Sequence, residues 1–115
     1  MKESILHAKA LDFAADIVLF YDDFLLLKKD NTIAKQLLRA ATSIGANLNE
    51  ATFGNSKADF IAKLHIALKE ASESVYWLEL LQKVYPTFAS LPKLLRQGNE
   101  IKAMLISSIN TAKGK

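Results

Sequence analysis

Arg39, Ser43, Asn47 and Glu50 fall at spacings of four, four and three. In a helix they share one face, because residues three or four apart are neighbours. Glu70, Glu73, Ser74 and Trp77 form a second set of the same kind. Carboxylates beside a guanidinium and hydroxyls could hold a ligand, bind a metal ion or move a proton. Metal sites in helical bundles, however, combine inward Glu residues with a His three positions after a Glu. Neither His7 nor His65 follows a Glu in that way, so neither a metal site nor a cofactor is expected. A Ser-His-acid triad would need a histidine set against Ser43 or Ser74, and the spacing offers none. Gly45 and Gly54 stand alone, so no glycine-rich loop is present to cradle phosphate. Tyr76 and Trp77 could stack on bases. Flanked by Val75, Leu78 and Leu80, at least one of the two reads as core or interface.

Three readings of the polar lines stay open. They are a solvated face whose Ser and Asn side chains bond to local backbone. They are a buried polar network that sets helix register or subunit contacts. Or they are a small-ligand or metal-binding bundle built on Glu50, Glu70, Glu73 and Arg39. A buried charge is costly unless paired. The network reading therefore expects Arg39 to meet a carboxylate, and Asn47 to meet Glu70 or Glu73.

Four helical segments position these residues. The first runs from about Ser4 to Leu27, with a stripe of Ile5, Ala8, Leu11, Ala15, Val18 and Leu25. Phe13, Ile17, Phe20 and Phe24 make a second apolar stripe beside it. A helix this apolar needs neighbours on more than one side, so the second stripe serves either its own core or a contact with another subunit. Asp30, Asn31 and Thr32 then supply turn and capping chemistry. The second helix, about Ile33 to Ala51 or Thr52, buries Ile33, Leu37, Ala40, Ala41, Ile44 and Leu48. Phe53-Gly54-Asn55 ends it, with Gly54 suited to a left-handed position. Ser56 caps the third helix, with Asp59 three residues on in the manner of a capping box. That helix runs from about Lys57 to Val84, and Tyr85-Pro86 stops it. The fourth begins near Ser90, accepts Pro92 in its first turn, and carries Gly98 as a weak point. No stretch alternates like a strand. Connections of about four or five residues force consecutive helices antiparallel. The expectation is one domain over residues 1–115, all-α, an up-down-up-down four-helix bundle.

Composition agrees and narrows the function classes. Half of the 115 residues are apolar, with only four Gly and two Pro, which is far from disorder. With no cysteine there is neither disulfide nor Cys-bound metal, and the cytoplasm is the expected compartment. Glu3, Lys9, Asp12 and Asp16 break up the N-terminal stretch, so it does not read as a signal peptide. Asp22, Asp23, Lys28 and Lys29 close the richest apolar run short of a membrane span. Net charge is +3, which permits an acidic partner without requiring one. Lys93, Arg96, Lys102, Lys113 and Lys115 form a loose basic cluster. It is either solvated surface or a patch for RNA or DNA phosphates.

The stretch Gln36 to Leu81 carries a more specific signal. Gln36, Leu37, Arg39, Ala40, Ser43, Ile44, Asn47 and Glu50 form a Gln-Leu-x-Arg-Ala-x-x-Ser-Ile-x-x-Asn-x-x-Glu run. Gly54, Ser56, Asp59 and Phe60 follow, then Ile66, Ala67, Glu70 and Glu73. This pattern resembles the four-helix bundle proteins associated with 23S ribosomal RNA intervening sequences. Two departures stand out. Glu50 is followed by Ala51 where many members have Gly, and no Pro precedes helix two. The resemblance implies a non-enzymatic homo-oligomer, pentameric in related proteins. The bundle accessory proteins of diversity-generating retroelements share that architecture and bind nucleic acid. No catalytic residue follows from the family, so the motif residues carry over as structural or interface positions.

Overall fold

The structure, a computed structural model, describes residues 2–27 and 29–115, and side chains from Ile5 onward apart from Lys28. Lys28 and the side chain of Glu3, both read above as breaks in apolar stretches, lie outside the described residues. Four helices follow one another: α1 (Lys2–Leu25), α2 (Thr32–Thr52), α3 (Lys57–Val84) and α4 (Leu91–Ala112). No strand occurs among the described residues. The longest helix, at 28 residues, spans about 42 Å. The molecule measures 46 × 21 × 20 Å, so the helices lie side by side. α1 and α3 each pack on both α2 and α4, which closes a four-membered ring.

Paired contacts give the directions. His7 of α1 reaches the Leu48 carbonyl near the end of α2, and Tyr21 meets Asn31 at its start. Glu50 near the end of α2 meets Lys63 near the start of α3. Lys9 meets Glu100 while Asp16 meets Lys93, so α4 descends as α1 climbs. Every neighbouring pair is antiparallel. Short turns leave no alternative: the four residues 53–56 between α2 and α3 reach at most about 14 Å, far less than a helix length.

The core runs down the middle of the ring. α1 contributes Leu6, Ala10, Phe13, Ile17, Phe20 and Phe24, each at most 3% exposed. Of the other stripe, Ile5, Leu11, Val18 and Leu25 face water at 42% to 71% exposure. The four residues weighed as a subunit contact, Phe13, Ile17, Phe20 and Phe24, are therefore closed inside their own subunit. Their rings explain the choice. Phe20 packs edge-on against Phe88 at 5.1 Å, and Phe24 against Tyr85 at 5.4 Å, filling a volume that Ala8 and Ala15 would leave empty.

Two glycines act through space. A Cβ on Gly98 would sit 3.0 Å from Val75 and 3.5 Å from Phe13, so its absence lets α3, α4 and α1 close together. Gly98, read as a weak point in the sequence, is a packing requirement. Gly54 is not left-handed as expected; among the described residues only Gly114 has a positive-φ glycine backbone. α2 closes with i to i+3 bonds, Phe53 N–H to Glu50 and Gly54 N–H to Ala51, which need no left-handed residue. Gly54 instead makes room for Asp59, whose Oδ2 lies 2.6 Å from where a Cβ would stand.

Candidate functional site

The residues singled out for chemistry lie on α2, α3 and α4. α2 buries Ala34, Leu37, Ala40, Ala41, Ile44, Leu48 and Ala51. Its polar line runs along the edge of that stripe. Arg39 and Glu50 are exposed, and Ser43 and Asn47 are half-buried. Ser43 Oγ donates to the Arg39 carbonyl at 2.8 Å, and Asn47 Nδ2 donates to the Ser43 carbonyl at 2.9 Å. On α3, Ser74 is fully buried and donates to the Glu70 carbonyl at 2.8 Å. These are all one-turn, local bonds.

The pairings expected of a buried network do not form. Neither Arg39 nor Asn47 is bonded to the half-buried Glu70 or Glu73. A hydroxyl or amide in a helix can bond the carbonyl four residues back, so it needs no partner across the seam. A flexible guanidinium stays in water at lower cost than it could be buried. The bond that does cross the α2–α3 seam joins Lys63 Nζ to Glu50 Oε1 at 3.0 Å. The bonded, negatively charged Glu50 raises the Lys63 pKa above its ordinary value.

The carboxylates do not converge. Glu50 lines an open cleft of about 430 Å³ at the α2–α3 turn. That cleft is completed by Asn49, Phe53, Gly54, Asn55, Asp59 and Lys63, not by Arg39, Glu70 or Glu73. Among the described residues, no three His, Asp or Glu side chains stand close enough to hold a metal ion. Tyr76 is 58% exposed and meets Trp77 edge-on at 5.1 Å. Trp77 is half-buried and its Nε1 is buried without a hydrogen-bond acceptor.

Of the basic residues, Lys93 is 3.5 Å from Asp16 of α1 and is partly neutralised by it. Arg96, Lys113 and Lys115 are exposed and Lys102 is half-buried. They follow one helix and its tail over about 33 Å and do not form a compact cluster.

The sequence profile of the 23S rRNA-intervening sequence protein family matches residues 2–107. The chain belongs to that family. It is also similar to a solved protein of unknown function from the S23 ribosomal protein family of Bacteroides thetaiotaomicron. The two are 45% identical, superpose with a TM-score of 0.90, and are matched over 96% of this chain and 99% of the other. No curated protein matches.

In this chain the Arg39–Glu50 motif is a helix edge satisfied by its own backbone and by Lys63. One residue of the site region was missed in the sequence. Half-buried His7 lies between α1 and α2, its Nε2 3.3 Å from the Leu48 carbonyl and 3.2 Å from Thr52 Oγ1. Nothing in its spacing signals this, because the partners lie more than forty positions away. No helix among the described residues is long and apolar enough to cross a membrane.

Proposed function

We propose that this chain is a non-enzymatic, oligomeric four-helix bundle of the cytoplasm that works as a nucleic-acid-associated scaffold or accessory protein. The carrying observation is the outer face of α1, where large apolar side chains remain uncovered: Leu11 is 71% exposed, Leu19 62% and Leu26 78%. A chain that has already filled its own core has no intramolecular use for such a face. Support for a nucleic-acid role comes from α4 and its tail, which set five basic side chains against one carboxylate, Glu100. The family's name mentions a 23S rRNA intervening sequence and the solved relative's a ribosomal protein family, which fits the same reading.

The two halves are tested separately. Light scattering coupled to size exclusion at micromolar protein reads the assembly; a monomer throughout removes it. Binding to structured RNA or DNA should weaken steeply with salt. Contact with about three phosphates gives a log–log slope near −3. No binding at low salt, or binding indifferent to salt, removes the nucleic-acid half.

A further inference from the structure

The α1–α2 turn and the last turn of α3 leave a half-open cavity of about 430 Å³ between them. Buried Phe24 and Leu81 line it, with half-buried Ile33, Leu80 and Tyr85 and with Val84, which is 57% exposed. Tyr85 stands edge-on against Phe24 at 5.4 Å, so its ring is a firm wall. The volume falls within the range of about 300–1,000 Å³ usual for small-molecule sites. The cleft at the α2–α3 turn is different in kind, because Glu50, Asp59 and Lys63 line it with charge. Here the walls are apolar, and a ligand gains by removing them from water.

Besides the Tyr85 hydroxyl, the polar side chains at the cavity are Asp30 and Thr32. Thr32 donates both its hydroxyl proton and its backbone N–H to Asp30 Oδ1. It has no donor left for a ligand. Asp30 Oδ2 takes part in neither bond and keeps its capacity to accept. The two bonds also lower the Asp30 carboxyl below its ordinary 3.8, so it is ionised at neutral pH. A ligand must therefore bring a donor, and a charged donor gains most. The Tyr85 ring also draws a cation, since Lys29 Nζ lies 5.7 Å from its centroid. Lys29 is exposed, so a ligand ammonium displaces it at little cost.

We propose that this cavity binds a small amphiphilic cation, an aryl or alkyl ammonium. Its apolar part lies on Phe24, Leu81 and Val84, and its ammonium donates to Asp30. The site rests on neither the assembly nor the nucleic-acid reading above. An apolar anion is the poorer occupant, because its carboxylate meets Asp30 at the same edge. Held by Lys29 or by the start of α2 instead, an anion would reverse that order.

The test titrates the whole isotope-labelled chain with phenylpropylammonium at neutral pH, followed by two-dimensional NMR. Saturable shifts should appear at Ile33, Leu81, Val84 and Tyr85. Phenylpropanoate and phenylpropanol should bind at least about tenfold more weakly. Asp30→Asn keeps an acceptor in the turn and removes the charge. It should weaken the ammonium roughly tenfold and leave the alcohol within about twofold. Val84→Trp changes an exposed wall position and should block the cavity, with helicity by circular dichroism unchanged. No saturable binding up to about 5 mM overturns the proposal. So do shifts centred elsewhere on the bundle, or an ammonium no tighter than the anion. An Asp30→Asn or Val84→Trp chain that binds the ammonium as the parent does overturns it as well.

Discussion

α1 has two apolar faces, and the fold treats them differently. Phe13, Ile17, Phe20 and Phe24 are sealed inside the ring, while Leu11, Val18, Leu19 and Leu26 stand in water. Both faces repeat at helical spacing and both are hydrophobic enough to be core. What separates them is size and shape. The inner face offers rings that interlock with Phe88 and Tyr85 and fill the space beside Gly98. The outer face alternates alanine with leucine or valine, a profile suited to one close helix and not to the middle of a ring of four. α2 presents no such ambiguity, having one apolar stripe and a polar edge that satisfies itself.

The difference can be broken most sharply by truncating each face in turn. Phe13→Ala removes a ring that is 0% exposed and should cost about 3–5 kcal/mol in urea unfolding. Leu11→Ala, at 71% exposure, should stay within about 0.5 kcal/mol in dilute protein. Equal costs would mean the faces are misassigned. Gly98→Leu probes the inner face from across the ring. With Val75 already 3.0 Å from a Cβ there, overpacking should destabilise by about 1–3 kcal/mol despite leucine's better helix propensity. A gain in stability would show that α4 sits less tightly than described.

A smaller effect lies at the turn where α1 gives way to α2. Asp30 Oδ1 accepts from the Thr32 hydroxyl at 2.6 Å and from its backbone N–H at 2.9 Å. These bonds, the hydroxyl first, lower the carboxyl below its ordinary 3.8. The sign follows: the contribution is whole above the unfolded value and fades as pH falls through the lower folded one. Asp30→Asn should therefore flatten the acid limb of thermal stability below about pH 4 and leave neutral behaviour alone. An unchanged limb would count against a role for these turn bonds. Least of all should change in the polar line. A double-mutant cycle on Arg39→Ala and Glu73→Ala should give a coupling under about 0.3 kcal/mol, since no bond joins them. A coupling near 1 kcal/mol would restore the buried network.

The sequence alone was enough for the number of helices, their order and the bounds of α2 and α3, while α1 starts and ends earlier than its periodicity predicts. α3 runs from Lys57 to Val84 as its periodicity predicts, with the Ser56 hydroxyl accepting from the Asp59 N–H. Capping chemistry, helix stops and 3–4 spacing are properties of neighbouring residues, so they are written locally. The Gln36–Leu81 motif likewise carried the family.

Tertiary structure decided which side of α1 became core, what Gly98 is for, where His7 lies and whether the polar residues of α2 meet those of α3. Each depends on the shape of surfaces brought together from distant parts of the chain. Periodicity says that a face is apolar, but only packing says which apolar face fills the available volume. Hydrogen-bonding capacity says that Ser43 and Asn47 need partners, but a carbonyl one turn back competes equally with one across the seam. That competition is settled by distances that exist only in the folded bundle.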